Sequence, residues 1–233
     1  MINPCAPLVD AKYIERAKKL GVALLCDGAK AAKIDIQNYG CMEASINPVD
    51  KSMFMVGTAM TVETANGDNF PIHVASYSAP CPGYVMVIDG KSYPNKAYFG
   101  DLIMGACQAV GFEGMVINAY TRDKEGNIEL GFPVFSKGFM PAGPIKKDEG
   151  NINTVIECGG VTVKPGDLVV GDYDGVVVVP REHLDVVLDE AEKKLAYEEK
   201  RHATIKAYRE AVKNGTERPQ LAPQWVLDML NNK

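Results

Sequence analysis

The chain has 233 residues, of which 46% are hydrophobic and 24% charged, enough apolar material for one large or two small globular domains. A formal net charge of −5 lacks the basic excess that phosphate backbones attract, so direct nucleic-acid binding is disfavoured. No apolar run reaches the ~20 residues that span a bilayer, and residues 1–10 show no basic start followed by an apolar core, so a cytoplasmic protein without a membrane segment is expected.

Residues 10–25 carry Tyr13, Ile14, Ala17, Leu20 and Leu24 at near-helical spacing, and Asp27-Gly28 is expected to interrupt that helix. Residues 53–62 read as a strand, and Asn66-Gly67-Asp68-Asn69 is a turn. Residues 70–78 suit either a short helix or an extended segment. Residues 84–90 form a buried strand ending in Asp89-Gly90. Leu102, Ala106, Ala109 and Val110 then share one side of a helix that Gly111 stops. Residues 114–120 are the next strand, so 84–120 make one βαβ unit. Ligands gather beyond the carboxyl ends of the strands in such units, and Asp89, Asp101, Arg122 and Asp123 are all expected at that edge.

The third quarter is rich in strands. Residues 132–135 are one candidate, and 155–163 read as two short strands around Gly159-Gly160. Residues 168–172 and 176–180 form a hairpin, with Asp174-Gly175 as its turn signal. That turn also explains the neighbouring Asp172 and Asp174 better than a paired acid site does. Leu184, Val187, Leu188, Ala191 and Leu195 then open a long amphipathic helix that ends near Gly215. This divides the chain into a domain over 1–215 and an extension over 216–233, whose apolar end (Trp225, Val226, Leu227, Met229, Leu230) suits packing on its own domain or on a neighbouring chain.

The six cysteines, at 5, 26, 41, 81, 107 and 158, include no C-x-x-C pair and are expected to be reduced thiols. His73, His183 and His202 lack metal-ligand spacing, so single surface or core roles are expected. Lys146-Lys147 reads as a solvated pair that also suits contact with a dicarboxylate.

Chemistry concentrates between Gly100 and Asp123. The first amides of a helix have no intrahelical acceptor, so Leu102 and Ile103 are candidates to hold an anion, and Gly100 permits close approach. Arg122 can grip a carboxylate at two points, and Asp123 is a hard oxygen donor suited to Mg²⁺ or Mn²⁺. Asp101 is placed to orient or deprotonate a water. These parts suit a small 2-oxo acid. An Arg-Asp pair after a strand also suits a loop salt bridge, and Gly-Asp before a helix suits a cap, so spacing alone singles out no reaction.

Gly100-Asp101-Leu102 followed by Arg122-Asp123 resembles the hallmark of the RraA-like family, which includes class II 4-hydroxy-4-methyl-2-oxoglutarate/4-carboxy-4-hydroxy-2-oxoadipate aldolases. Residues 56–62, 82–90, 131–135 and 165–176 with Pro180 are similar to further family phrases in the same order, so the resemblance covers roughly residues 20–200. It implies an α/β fold with a swivelling β/β/α core, assembled as a homotrimer or hexamer with the active site at the subunit interface. It implies a pyruvate-forming, metal-dependent lyase that also decarboxylates oxaloacetate. Asp123 would contact the metal, and Arg122 with the amides of Leu102 and Ile103 would hold pyruvate. Asp101 would position a metal-bound water that returns a proton to the enolate. Glu198 or Glu199 of a neighbouring subunit would join the metal's water shell, although a solvated helix face explains both equally well.

Two departures put the distal half of the substrate in doubt. Asn118-Ala119 stands where many members have Asp-Gly, and residues 218–233 lengthen the C-terminus. The alternative function is that of a non-catalytic regulator binding ribonuclease E, as for RraA itself. A third label attached to the family, demethylmenaquinone methyltransferase, is rejected because the chain has no glycine-rich S-adenosylmethionine loop.

Overall fold

Asp10 opens the first helix by accepting a hydrogen bond from the Lys12 amide at 3.0 Å. The computed structural model describes residues 1–77, 81–147 and 150–231. Its elements are α1 (Ala11–Ala31), β1 (Asn47–Pro48), β2 (Met55–Glu63), α2 (Phe70–Tyr77), β3 (Tyr84–Asp89), α3 (Asp101–Ala109), β4 (Gly114–Ile117), α4 (Lys124–Leu130), β5 (Val134–Ser136), β6 (Asn151–Ile152), β7 (Ile156–Cys158), β8 (Val161–Val163), β9 (Leu168–Asp172), β10 (Gly175–Val179), α5 (Leu184–Asn214) and α6 (Gln224–Asn231).

The main sheet runs β1-β5-β4-β3-β2-β9-β10, with β6 paired to the end of β2. Strands β2 to β5 are parallel, while β1, β9 and β10 join antiparallel. The expected βαβ unit is present: β3 and β4 pair in parallel from Val85↔Gly114 to Ile88↔Ile117, with α3 crossing between them. Both faces of β3 are buried, which is why it reads as one continuous apolar run. Met86 and Ile88 pack with Ile72, Met104 and Cys107, whereas Val85 and Val87 pack with Ile156, Val161 and Val163.

Several expectations shift. The break in α1 falls at Gly21 (φ 72°, ψ 176°), not at Asp27-Gly28. Asp172 Oδ2 accepts from the Val22 amide at 2.8 Å and so restarts the helix after the break. Gly28 stays helical because it serves packing: a Cβ there would lie 2.4 Å from the Val187 carbonyl oxygen. Residues 70–77 are helical, opened by the Asp68 carboxylate accepting from the Phe70 amide, and residue 78 lies outside the described residues. Strand β4 ends at Ile117 rather than running on to Tyr120. Helix α4 has no counterpart in the sequence reading, because its seven residues carry no apolar period.

By contacts the chain divides into Met1–Ala191 and Glu192–Lys233, a boundary inside α5. In the second unit α5 ends at Asn214 with Gly215 at φ 65°, and Arg201 donates to the Leu221 carbonyl at 2.8 Å. Trp225, Met229 and Leu230 of α6 are exposed, and residues 232–233 lie outside the described residues. No helix among the described residues is long and apolar enough to cross a membrane.

Candidate active site

A second parallel pairing, beyond the edge of the sheet, assembles the site. The Tyr98 amide donates to the Tyr120 carbonyl (3.0 Å) and the Arg122 amide to the Phe99 carbonyl (3.1 Å). The Thr121 hydroxyl adds a bond to the same Phe99 carbonyl at 2.8 Å. This ladder lays the start of α3 alongside the start of α4, so Gly100 faces Arg122 and Asp123.

The contact is close. A Cβ on Gly100 would lie 2.0 Å from Asp123 Oδ2 and 3.0 Å from Arg122 Cγ, so only glycine leaves the carboxylate its place. Asp123 is left-handed (φ 56°, ψ 50°) and precedes α4 without capping it through its side chain. Its carboxylate, 40% exposed, lies 3.3 Å from Arg122 Nε in a poor orientation for a hydrogen bond. An ion pair this open is weak, which leaves both groups available to a ligand. Arg122 Nε is buried with no hydrogen-bond partner among the described residues, and a Cβ on Gly143 would press to 2.9 Å from Arg122 Nη1.

These residues line a cavity of about 340 Å³. Gly100, Asp101, Leu102, Ile103, Arg122 and Asp123, the expected site residues of the first unit, all meet there. The two helix amides differ, however. The Ile103 amide already donates to the Gly100 carbonyl at 3.1 Å, whereas the Leu102 amide has no acceptor among the described residues. Leu102 is therefore the better anion donor. Asp89 does not join the site; it pairs with Lys91, which also binds Glu63. Glu198 and Glu199 fall in the second unit, where Glu198 pairs with Lys194 at 4.0 Å.

The cavity also contains residues to which sequence reasoning gave no site role. Asn69 is 2% exposed, and its Oδ1 is buried with no partner among the described residues. Asn69 and Arg122 thus bring two polar side chains to one cavity wall, each with hydrogen-bonding capacity left over. His73, one turn into α2, lines the same wall; burial, then the nearby Lys146 charge, holds its imidazole below the ordinary histidine value. The signal available in the sequence was the turn at residues 66–69, whose Asp68 ties Phe70 and Lys147 and so brings both segments to the cavity.

The donor set suits one kind of metal. Among the described residues no three His, Cys, Asp or Glu side chains cluster to cage an ion. Asp123 and Asp101 instead offer one or two hard carboxylates, the donor count with which Mg²⁺ or Mn²⁺ keeps most of its waters. A structural zinc site would need four protein ligands.

Comparison with known proteins places the chain in a family. The sequence profile of the RraA-like family (Aldolase/RraA) matches residues 22–178. A protein of Halalkalibacterium halodurans named "Putative 4-hydroxy-4-methyl-2-oxoglutarate aldolase" is 41% identical over 70% of this chain and 78% of its own length. Streptomyces coelicolor RraAS2, described as an unusual member of the RNase ES inhibitor RraA protein family, shares the fold at TM-score 0.69 and 23% identity, covering 82% of this chain and 96% of its own. A Geobacillus kaustophilus structure, named as an S-adenosylmethionine:2-dimethylmenaquinone methyltransferase, is similar at 31% identity and TM-score 0.55 over 60% of this chain and 86% of its own. With its profile matched over most of the sheet and both halves of the site, the chain belongs to the RraA-like family.

Proposed function

We propose that this protein is a divalent-metal-dependent lyase of the class II pyruvate aldolase type. It would cleave 4-hydroxy-2-oxo acids to pyruvate and a carbonyl product and decarboxylate oxaloacetate as a side activity. The observation that carries the reading is the meeting of the α3 amino end, Arg122 and Asp123 around one cavity. The aldolase name of the 41% identical relative supports it.

In this reading Arg122 and the Leu102 amide hold the substrate carboxylate, fixing the C2 carbonyl towards Asp123. Asp123, with Asp101 nearby, would hold Mg²⁺ or Mn²⁺, which supplies Lewis-acid stabilisation of negative charge on the 2-oxo oxygen. As the C3–C4 bond breaks, its electron pair enters the C2 carbonyl and the 4-hydroxyl proton leaves to a base. Asp101 orients the water that returns a proton to C3 of the resulting pyruvate enolate. Oxaloacetate loses carbon dioxide through the same enolate, so one site serves both reactions. Asn69, His73 and Lys146 line the cavity where the remainder of the substrate would lie. We also propose a ring of three subunits, or two such rings, with Glu198 or Glu199 reaching the neighbouring site; sedimentation analysis tests the ring.

The decisive assay measures pyruvate from oxaloacetate and from a panel of 4-hydroxy-2-oxo acids, with Mg²⁺ or Mn²⁺ and with EDTA. Metal-dependent release supports the proposal, and no metal-dependent turnover of any of them removes it. The second reading, a non-catalytic regulator of ribonuclease E, draws on the shared fold with the Streptomyces coelicolor protein. Capture by a ribonuclease E scaffold segment, combined with absent turnover, would favour that reading instead.

A further inference from the structure

The strongest feature outside the cavity is a pair of cysteines fifteen positions apart in sequence, Cys26 and Cys41, whose sulfurs lie 2.9 Å apart. We propose that Cys26 and Cys41 form a dithiol that hydroperoxides convert reversibly to a disulfide, a modification site separate from the candidate active site.

Two fixed supports hold the sulfurs together. Cys26 stands on the second half of α1, which Gly28 seats tightly against Val187 and Ala191 of α5. Cys41 ends a short turn over residues 37–40 in which Asn38, Tyr39 and Gly40 all have positive φ. That turn is pinned. The Cys41 amide donates to the Asn38 carbonyl at 3.0 Å, the Asn38 side-chain amide donates to the Cys41 carbonyl at 2.7 Å, and Cys41 bridges Val177 of β10. A Cβ on Gly40 would meet the Val178 carbonyl oxygen at 2.1 Å, so the turn lies hard against the strand. With both backbones held, S–S bond formation needs side-chain adjustment and no rearrangement of elements.

The shared S–H···S contact lets one thiol attack while the other stands ready to resolve. With Cys41 as acceptor of the S–H···S bond, its thiol falls below the ordinary cysteine value, to about 7. The same bond, then burial, pushes Cys26 up. Both residues are partly exposed, so a small oxidant can reach them. Cys81, Cys107 and Cys158 are buried instead, and burial pushes each of their thiols up, Cys107 to about 11.

The chemistry balances with a hydroperoxide as oxidant. The Cys41 thiolate attacks one peroxide oxygen; an S–O bond forms, the O–O bond breaks, and hydroxide leaves. The Cys26 thiol then attacks the sulfenic sulfur; the S–S bond forms, the S–O bond breaks, and the hydroxyl departs with the Cys26 proton as water. The two sulfurs give up two electrons in all, and the peroxide is reduced. A dithiol reductant reverses the modification by exchange.

The test treats the full-length folded protein with a small excess of hydrogen peroxide, blocks remaining thiols with N-ethylmaleimide, and digests with trypsin. Residues 20–30 and 34–51 are tryptic peptides with one cysteine each. The expected result is a single linked species joining these two peptides, a loss of two of the six thiols counted after unfolding, and full recovery with dithiothreitol. In Cys26→Ser the expected product is a Cys41 sulfenic acid trapped by dimedone. In Cys41→Ser the peroxide-dependent thiol loss should fall at least about tenfold, since the nucleophile is gone. Alkylation of Cys26 and Cys41 undiminished by peroxide, a link involving Cys5 instead, or direct passage of Cys41 to sulfinic acid with Cys26 present would each overturn the proposal. Because both serine variants can be checked for native thermal unfolding first, a folding defect cannot imitate the expected pattern.

Discussion

Replacing Gly100 by alanine tests the site with a single methyl group. The new Cβ would sit 2.0 Å from Asp123 Oδ2, about 1 Å inside the 3.0 Å that real Cβ contacts respect. The Gly100 backbone is extended (φ −140°), so alanine fits the main chain, and the other close atoms, at 3.0 Å, are Arg122 Cγ and Asp123 Cγ. The Asp123 carboxylate is a 40% exposed, loosely held group, so it yields first and the fold survives. Displacing a catalytic group by about 1 Å costs on the order of 100-fold in rate, or ~2.7 kcal/mol of transition-state stabilisation. The assay is steady-state pyruvate release from oxaloacetate across a Mn²⁺ titration, with thermal unfolding measured on the same samples. The expectation is a roughly 100-fold lower kcat, a higher metal requirement and a Tm within a few degrees of wild type. Gly105→Ala, in the same helix, is the control: its nearest neighbour would be 3.8 Å away, so kcat should hold while helix propensity adds up to about 1 kcal/mol. A Gly100→Ala enzyme with wild-type kcat and metal dependence would refute the assignment of Asp123 to the reaction.

Four further outcomes are expected. Arg122→Ala should abolish turnover with the protein still folded, and Arg122→Lys should recover little of it because a point charge cannot reproduce two-point carboxylate binding; kcat/KM for oxaloacetate is the readout. Asp123→Asn should lose metal-dependent activity, while Asp123→Gly, relieved of a left-handed side chain at φ 56°, should unfold at a slightly higher temperature despite being inactive. His73 has its folded pKa held below 6.5, first by burial and then by Lys146, so the neutral ring's contribution is complete above about pH 6.5 and is lost as pH falls through the folded value. Measured as Tm against pH, that acid limb should flatten in His73→Gln. Gly28→Ala should cost about 1–3 kcal/mol by overpacking the α1–α5 contact, read from denaturant midpoints.

Local chemistry made much of this molecule readable. The unbroken apolar run of β3 announces burial on both faces, Asp174-Gly175 at the start of β10 announces a hairpin, and Gly111 and Gly215 stop helices where expected. Gly28 misled because a glycine that permits close packing looks, in one dimension, like a glycine that ends a helix. Helix α4 escaped because it is short and polar, and its position is set by Asp123 in a left-handed conformation.

The sequence by itself determined the α/β class, the βαβ unit and the two short motifs at Gly100-Asp101 and Arg122-Asp123. Local propensity and hydrophobic period act over a few residues, and these features need nothing more. Tertiary structure alone decided that Gly100 faces Arg122 and Asp123 and that Asn69 and His73 complete the cavity wall. It also decided that Cys26 and Cys41 touch. Each of these is set by long-range pairing, such as the ladder of residues 97–99 with 120–122, whose partners are chosen by the packing of the whole sheet and not by either segment alone.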